Sequence, residues 1–302
     1  MTTWAFVVLN WNGGEDTLRC LASLCAVAGD HAVYVADNGS TDGSVAAIRA
    51  AHPEAVVIEN GANLGYSGGN NPAIARAIAD GADWVVLFNN DAEAEPGALR
   101  ALQAAAAAHP DAGVLAGKLL FEDGRVQWAG QHVGLRTGYS GRPRGYGRPD
   151  GPEWSVDGPV DRAVGALMAV SRPAIEAVGT FDDALFAYVE DVDWSLRIRE
   201  AGFACHFVAG ARAVHALSAA TGGDAGSTAT LYYGARNTIV VCERHLPLGR
   251  ARTGLRRLTI AATFFLRAAL VQRSPAAFAA VGTGVRDGVA RRLGPRGSAR
   301  RV

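Results

Sequence analysis

The chain has 302 residues, 49% of them hydrophobic, enough for one large α/β domain with a helical appendage. Cys20, Cys25, Cys205 and Cys242 lack Cys-x-x-Cys spacing, which argues against a zinc site or a disulfide framework, and no signal peptide precedes the first apolar run, so a cytoplasmic protein is expected. The formal charge is zero, yet residues 250–302 carry twelve arginines against one acid, Asp287, while the rest of the chain has 17 basic and 28 acidic groups. No stacking aromatics are interleaved with those arginines, which sets nucleic-acid binding aside in favour of an anionic membrane surface or an acidic face of the same protein.

In chain order, short apolar runs at residues 4–10, 31–36, 55–59 and 83–88 are spaced widely enough for one helix each, and the pattern reads βαβαβαβ. Three of them end in polar turns: Asn10-Trp11-Asn12, Asp37-Asn38-Gly39-Ser40-Thr41-Asp42 and Asn89-Asn90-Asp91. In a parallel sheet these turns share the carboxyl edge, where doubly wound folds bind nucleotides. After the third run comes Asn63-Leu64-Gly65-Tyr66-Ser67-Gly68-Gly69-Asn70-Asn71-Pro72, whose glycines permit close approach of a phosphate or sugar and whose proline suits the first turn of the next helix. Residues 96–109 form an alanine-rich helix. Residues 138–159, rich in Gly, Pro and Arg with Tyr139, Tyr146 and Trp154, read as a lid or an acceptor-facing loop.

Residues 164–170 predict a buried strand in which Gly165 gives either packing room or clearance for a donor. Residues 181–197 then concentrate four aromatics and five carboxylates. Leu185, Phe186, Val189, Val192 and Leu196 recur at helical intervals, leaving Glu190, Asp191 and Asp193, beside Trp194, near a helix mouth whose partial positive charge favours an ionised base. Asp193 and Arg197 make an i,i+4 pair. His206, in the apolar run 203–208, is assigned to packing. Tyr232, Tyr233, Arg236 and Asn237 share one side of a helix, with Arg236 either reaching a phosphate or serving a structural role. Within residues 255–272 the apolar stretch 260–266 is interrupted by Arg267 and is too short to span a bilayer.

The ordered set VVLNWN, DNGSTDGS, NLGYSGGNN, FNNDAE, GRVQWAG, GALMAVSR, FAYVEDVDWSLRIREAGF and YYGARN, from about Trp4 to Asn237, resembles the family 2 glycosyltransferases with a GT-A fold, in particular their rhamnosyltransferase-like branch. The resemblance implies a Rossmann-like α/β fold with a mostly parallel central sheet and a C-terminal helical extension. It implies a catalytic domain over residues 1–245, with a nucleotide-sugar half at 1–115 and an acceptor half at 116–245, followed by a basic extension at 246–302. Asp37 would hold the pyrimidine base, Asp91 would contact Mg²⁺ or Mn²⁺ on the diphosphate, His215 would lie near that metal, and Asp191 would be the general base. With Asn10, Asn38, Asn63, Gly65, Gly69, Asn70, Asn90, Gly165 and Arg236 added from the sheet-edge turns and later segments, the candidate donor site is complete. Asn89-Asn90-Asp91 departs from the family's usual metal motif in keeping a single carboxylate where many members have two.

The chemistry needs these residue types. A departing diphosphate calls for charge stabilisation, which a divalent cation supplies, and an acceptor hydroxyl calls for one carboxylate on the opposite face of the sugar, giving inversion. The expected donor is a dTDP- or UDP-sugar, with dTDP-rhamnose first by resemblance, and the acceptor a glycan, a lipid-linked sugar or a small molecule. A galactofuranosyl- or other hexosyltransferase, or a non-catalytic nucleotide-sugar-binding protein, are the alternatives. A sugar nucleotidyltransferase lacks support, because no basic residue follows the first strand until Arg19.

Overall fold

A computed structural model describes residues 2–138, 142–216, 227–297 and 300–301, so Tyr139 of the irregular loop and Leu217-Ser218 after His215 lie outside the described residues. The strands of the main sheet are β1 (Trp4–Asn10), β2 (Ala32–Asp37), β3 (Val56–Glu59), β4 (Trp84–Asn89), β5 (Ala92–Ala94), β6 (Ala112–Leu120), β7 (Val126–Trp128), β8 (Gly158–Pro159), β9 (Leu167–Ser171) and β10 (Ala204–His215). Between and after them run α1 (Gly14–Ala28), α2 (Ser44–Ala51), α3 (Gly65–Ala79), α4 (Ala98–Ala108), α5 (Arg172–Val178), α6 (Glu190–Glu200), α7 (Thr228–His245), α8 (Arg250–Val271) and α9 (Pro275–Val289). The apolar runs become strands because helices cover both faces of the sheet, and continuous runs such as Val85, Val86 and Leu87 are then buried throughout.

Strand order is β3-β2-β1-β4-β9-β6-β10-β5. The β3-β2-β1-β4 half is parallel, β9 runs antiparallel between β4 and β6, and β10 is again parallel to β6. Strand order reverses beside β1, so the carboxyl ends of β1 and β4 flank the crevice where open α/β sheets bind ligands. After β4 the chain turns at Asn90-Asp91 and β5 pairs antiparallel with the end of β10, setting His215 opposite Ala92.

Two local expectations change. Helix α3 begins at Gly65, so Pro72 lies inside it, not in its first turn. Its glycine- and asparagine-rich start is a poor helix on propensity alone, and tertiary hydrogen bonds hold it. Ser67 N donates to Phe186 O (3.1 Å), Asn38 Nδ2 to Gly65 O (3.1 Å), Asn60 Nδ2 to Gly69 O (2.9 Å) and Asn71 Nδ2 to Phe181 O (3.0 Å).

The second change concerns the acidic segment, where Leu185 and Phe186 precede the helix instead of belonging to it. Residues 183–185 form a short 3₁₀ turn, and Phe186, Tyr188 and Val189 adopt positive φ (66°, 65° and 71°) before α6 starts at Glu190. For a β-branched residue such as Val189 this conformation is strained. The loop is held from α7: Asn237 Nδ2 lies 2.9, 2.9 and 2.7 Å from the carbonyls of Leu185, Ala187 and Tyr188, and Arg236 Nη2 is 2.7 Å from Leu185 O.

Helices α7, α8 and α9 share a second core of Leu231, Tyr232, Tyr233, Ala268, Ala277, Ala280 and Val281. Gly284 lets α9 approach α7 closely, since a Cβ there would lie 2.4 Å from Tyr232 O. The basic end is tied back to the acidic segment, with Gly294 N donating to Ala184 O (2.7 Å) and Arg236 Nη1 to Gly294 O (2.6 Å). Among the described residues no helix is long and apolar enough to cross a membrane.

Candidate active site

At the crevice, one polar network joins the ends of β1, β2 and β4. Asn10 Nδ2 donates to Asp37 Oδ1 (2.8 Å), Thr17 Oγ1 donates to Asn10 Oδ1 (2.8 Å), and Asn90 Nδ2 donates to Thr17 Oγ1 (3.0 Å). Asp37 Oδ2 accepts from the backbone N–H groups of Gly39 (3.2 Å) and Ser40 (3.1 Å), which fixes its carboxylate at the strand end. Gly13 is required beside this network, because a Cβ would fall 2.2 Å from Thr17 Oγ1. Asn10 and Asn90 are therefore buried with their side chains bonded inside the protein, Asn10 to Asp37 and Asn90 to Thr17.

The next group of candidate donor ligands also has protein partners. Asn38 bridges to Asn63 Oδ1 and Gly65 O and accepts from Leu64 N. Asn70 Nδ2 donates to Tyr66 O (2.8 Å). The glycines make room for protein: a Cβ on Gly65 would meet Phe186 O at 2.2 Å and one on Gly69 would meet Leu9 at 2.7 Å. At Gly165 the space is filled by Tyr66, whose hydroxyl would be 2.4 Å from a Cβ and donates to Gly165 O (3.0 Å). Arg236 is fully buried, stacks on Tyr232 and Tyr233, and spends its guanidinium on Gly294 O, Leu185 O and Asn237 Oδ1. It braces the acidic loop, with no exposure from which to reach a phosphate.

Asp91 and His215, 124 residues apart, meet at 3.1 Å between Oδ1 and Nε2. Gln127 on β7, a residue that sequence reasoning did not single out, orients the ring. Its Nε2 donates to the His215 carbonyl (3.1 Å), which leaves Oε1, 2.6 Å from Nδ1, to accept the ring proton. With Nδ1 protonated, Nε2 presents a lone pair beside the Asp91 carboxylate, and Asn89 Nδ2 approaches it at 3.2 Å. A carboxylate oxygen and an imidazole nitrogen facing one another fit a divalent cation bound through mixed O and N ligands. Asp91 also lines a pocket of about 160 Å³ with Asp16, Arg19, Glu93 and Glu122.

At the other carboxylate cluster, three adjacent acids meet three different environments. Asp191 Oδ1 lies 3.3 Å from Arg162 Nη1 and accepts from Val192 N (2.7 Å), while Oδ2 accepts from Gly165 N (3.3 Å). Glu190 is buried, and its Oε2 has no hydrogen-bond partner among the described residues. Burial, reinforced by the Asp191 charge, pushes the Glu190 carboxyl up to about 8. Asp193 is fully buried, within 2.9 Å of Arg197 Nε and His245 Nε2 and 2.8 Å of Arg244 Nη1. Burial alone would raise its carboxyl, but the His245 hydrogen bond and the Arg244 and Arg197 charges outweigh that and hold it at about 2. Trp194 packs on Phe181 and donates to Gly179 O (2.8 Å), a supporting place in the core.

Tyr66 connects the two clusters. Burial raises its phenol well above the ordinary value, and negative charge at Glu190, Asp191 and Asp91 raises it further. Tyr66 and Arg162 join Gln127 as site residues without a local sequence signal, although Tyr66 and Gln127 both sit inside motifs that carry the resemblance.

A sheet-edge crevice, an Asp–His pair suited to a cation and a separate carboxylate cluster fit a glycosyltransferase of GT-A architecture. Residues 5–163 match the model for glycosyl transferase family 2, and the chain belongs to that family. It is 33% identical over 289 residues to an N-acetylglucosaminyl-diphospho-decaprenol L-rhamnosyltransferase of Mycobacterium tuberculosis, covering 89% of this chain and 92% of that protein. Among solved structures it is similar to the mannosyltransferase PcManGT from Pyrobaculum calidifontis in complex with GDP-Man and Mn²⁺ (TM-score 0.57, 17% identity, 95% of this chain and 80% of that one). It is also similar to GalNAc-T7 with UDP, GalNAc and Mn²⁺ (TM-score 0.60, 17% identity, 80% of this chain), of which it spans about half, 48%. At these identities the solved structures speak to the fold.

Proposed function

We propose that the enzyme transfers L-rhamnose from dTDP-rhamnose to a lipid-linked sugar diphosphate, with inversion, at the inner face of the membrane. The observation that carries the reading is the Asp91–His215 pair, held in one tautomer by Gln127. The rhamnosyltransferase relative supports the choice of sugar and of a lipid-linked acceptor. Asp37, fixed by Asn10 and by two backbone N–H groups, is at the strand end where a pyrimidine would be read. Residues 1–115 would thus serve the donor and residues 116–245 the acceptor.

Asp91 and His215 would hold the cation, Mn²⁺ or Mg²⁺, which when bound neutralises charge on the departing diphosphate. Asp191 accepts the proton of the acceptor hydroxyl as its oxygen bonds to the anomeric carbon from the face opposite the leaving group, so the configuration inverts. Arg162 and the Gly165 N–H keep the Asp191 carboxylate aimed, and the strained loop braced by Arg236 and Asn237 fixes the start of its helix.

A thermal-shift scan of dTDP-, UDP-, GDP- and CMP-sugars, with and without Mn²⁺, tests this. A ligand at one hundred times its Kd stabilises by about 2.7 kcal/mol, roughly 5–10 °C for a domain of this size. The expected result is a metal-dependent shift with dTDP-rhamnose leading. Preference for a purine nucleotide overturns the role of Asp37, and a shift indifferent to metal removes Asp91 and His215 from the metal site.

A further inference from the structure

Helix α8 has two apolar faces, and the protein covers one of them. Arg256, Ile260 and Ala268 turn into the fold. On the opposite side Leu255, Leu258, Leu266 and Leu270 are 60–69% exposed, and Phe265 is 36% exposed. With Ala262 in the gap, these positions recur every three or four residues and form one stripe about 22 Å long. Phe278 of α9 widens it, stacking on Phe265 with ring centroids 6.3 Å apart. Scattered exposed apolar residues need no explanation. Here eight of the twelve exposed large hydrophobics among the described residues lie between Leu255 and Val289, so they constitute a patch.

The rim of the patch is cationic. Arg250, Arg252 and Arg273 are exposed at the two ends of α8, and Arg286, Arg291 and Arg292 are exposed at the end of α9. Asp287, the one acid of residues 250–302, is buried. With five arginines in its 22 residues, α8 is not a spanning helix. Its geometry is that of a helix lying in an interface: an apolar face outward and arginines at the margins, where their stems can snorkel.

We propose that this face docks on an anionic bilayer, with α8 in the plane of the membrane, Leu255, Leu258, Phe265, Leu266, Leu270 and Phe278 entering the boundary between headgroups and acyl chains, and the rim arginines on lipid phosphates. A second copy of the chain is a poorer occupant, since it would bring two strongly basic segments together. The assignment goes beyond the sugar-transfer reading and needs neither donor nor acceptor.

The test is cosedimentation of the full chain with phosphatidylglycerol–phosphatidylcholine vesicles and with phosphatidylcholine vesicles, lacking any glycolipid. Binding to the anionic vesicles, weakened by salt, is the expected result. The Leu258→Glu/Leu266→Glu/Leu270→Glu variant should bind at least about tenfold more weakly, with circular dichroism, Tm and turnover of a soluble acceptor unchanged, because these side chains already face water. Equal vesicle binding by the variant shows that arginines alone act and overturns the stripe. No binding by the wild type overturns the membrane, and a dimer abolished by the same triple substitution would then give the surface to a second copy.

Discussion

Asp193→Asn preserves the shape of a fully buried side chain while leaving Arg197, Arg244 and His245 converging without a counter-charge. Removing one partner of a buried ionic cluster costs about 3–5 kcal/mol. The Arg197 and Arg244 side chains are 21% and 33% exposed, so water recovers part of this, and about 2–4 kcal/mol is the reasoned loss. That corresponds to a Tm lower by roughly 5–12 °C. The loss has a pH signature. Asp193, depressed to about 2, stabilises above its unfolded value near 4 and loses that contribution as pH falls through 2. His245, lowered by burial but raised more by Asp193 and Glu200, contributes fully below its unfolded value near 6.5 and loses this as pH rises through its folded value. The difference in Tm between wild type and variant should therefore be widest between about pH 4 and 6.5, with turnover, assayed well below Tm, little changed. A Tm within about 2 °C of wild type across that window, or a well-folded variant without turnover, refutes the assignment of Asp193 to structure.

For its neighbour the expectation is the reverse: Asp191→Asn should lower kcat by roughly 10²–10⁴ with donor affinity and Tm nearly unchanged, and near-normal turnover would mean that the base lies elsewhere. Glu190→Gln should raise Tm at pH 8 relative to wild type but hardly at pH 4, because a carboxyl raised to about 8 in the folded state binds more protons than in the unfolded chain and loses stability as pH climbs from about 4.5 to 8; a pH-independent difference contradicts this. Gln127→Leu removes the acceptor for the His215 Nδ1 proton, and Mn²⁺ affinity, followed by titration calorimetry with nucleotide present, should fall about 10- to 100-fold. Unchanged affinity would detach His215 from the metal.

The strands of the first third could be read from the chain because each is a continuous apolar run closed by a polar turn, and burial on both faces of a parallel sheet leaves that trace in local sequence. The same logic put Asn10, Asp37, Asn90 and Asp91 at one edge. The start of α3 was not legible, since Gly65 to Asn71 are weak helix formers and their helix is held by Asn38, Asn60 and the 181–186 segment. Nor was the break before α6: the apolar spacing of Leu185 and Phe186 mimics a helix, whereas Asn237 and Arg236, about fifty residues later, hold the backbone at positive φ. Composition also showed a basic C-terminal end, but the apolar stripe of α8 emerged only when α7 and α9 were seen to cover the other face. By itself the sequence determined the βαβ frame, the carboxyl-edge turns and the acidic segment, all properties of neighbouring residues. Tertiary structure decided what surrounds each acid of the 190–193 cluster, that Gln127 orients the His215 ring and that Arg236 is a brace, because these depend on strand order and on burial by residues scores of positions away.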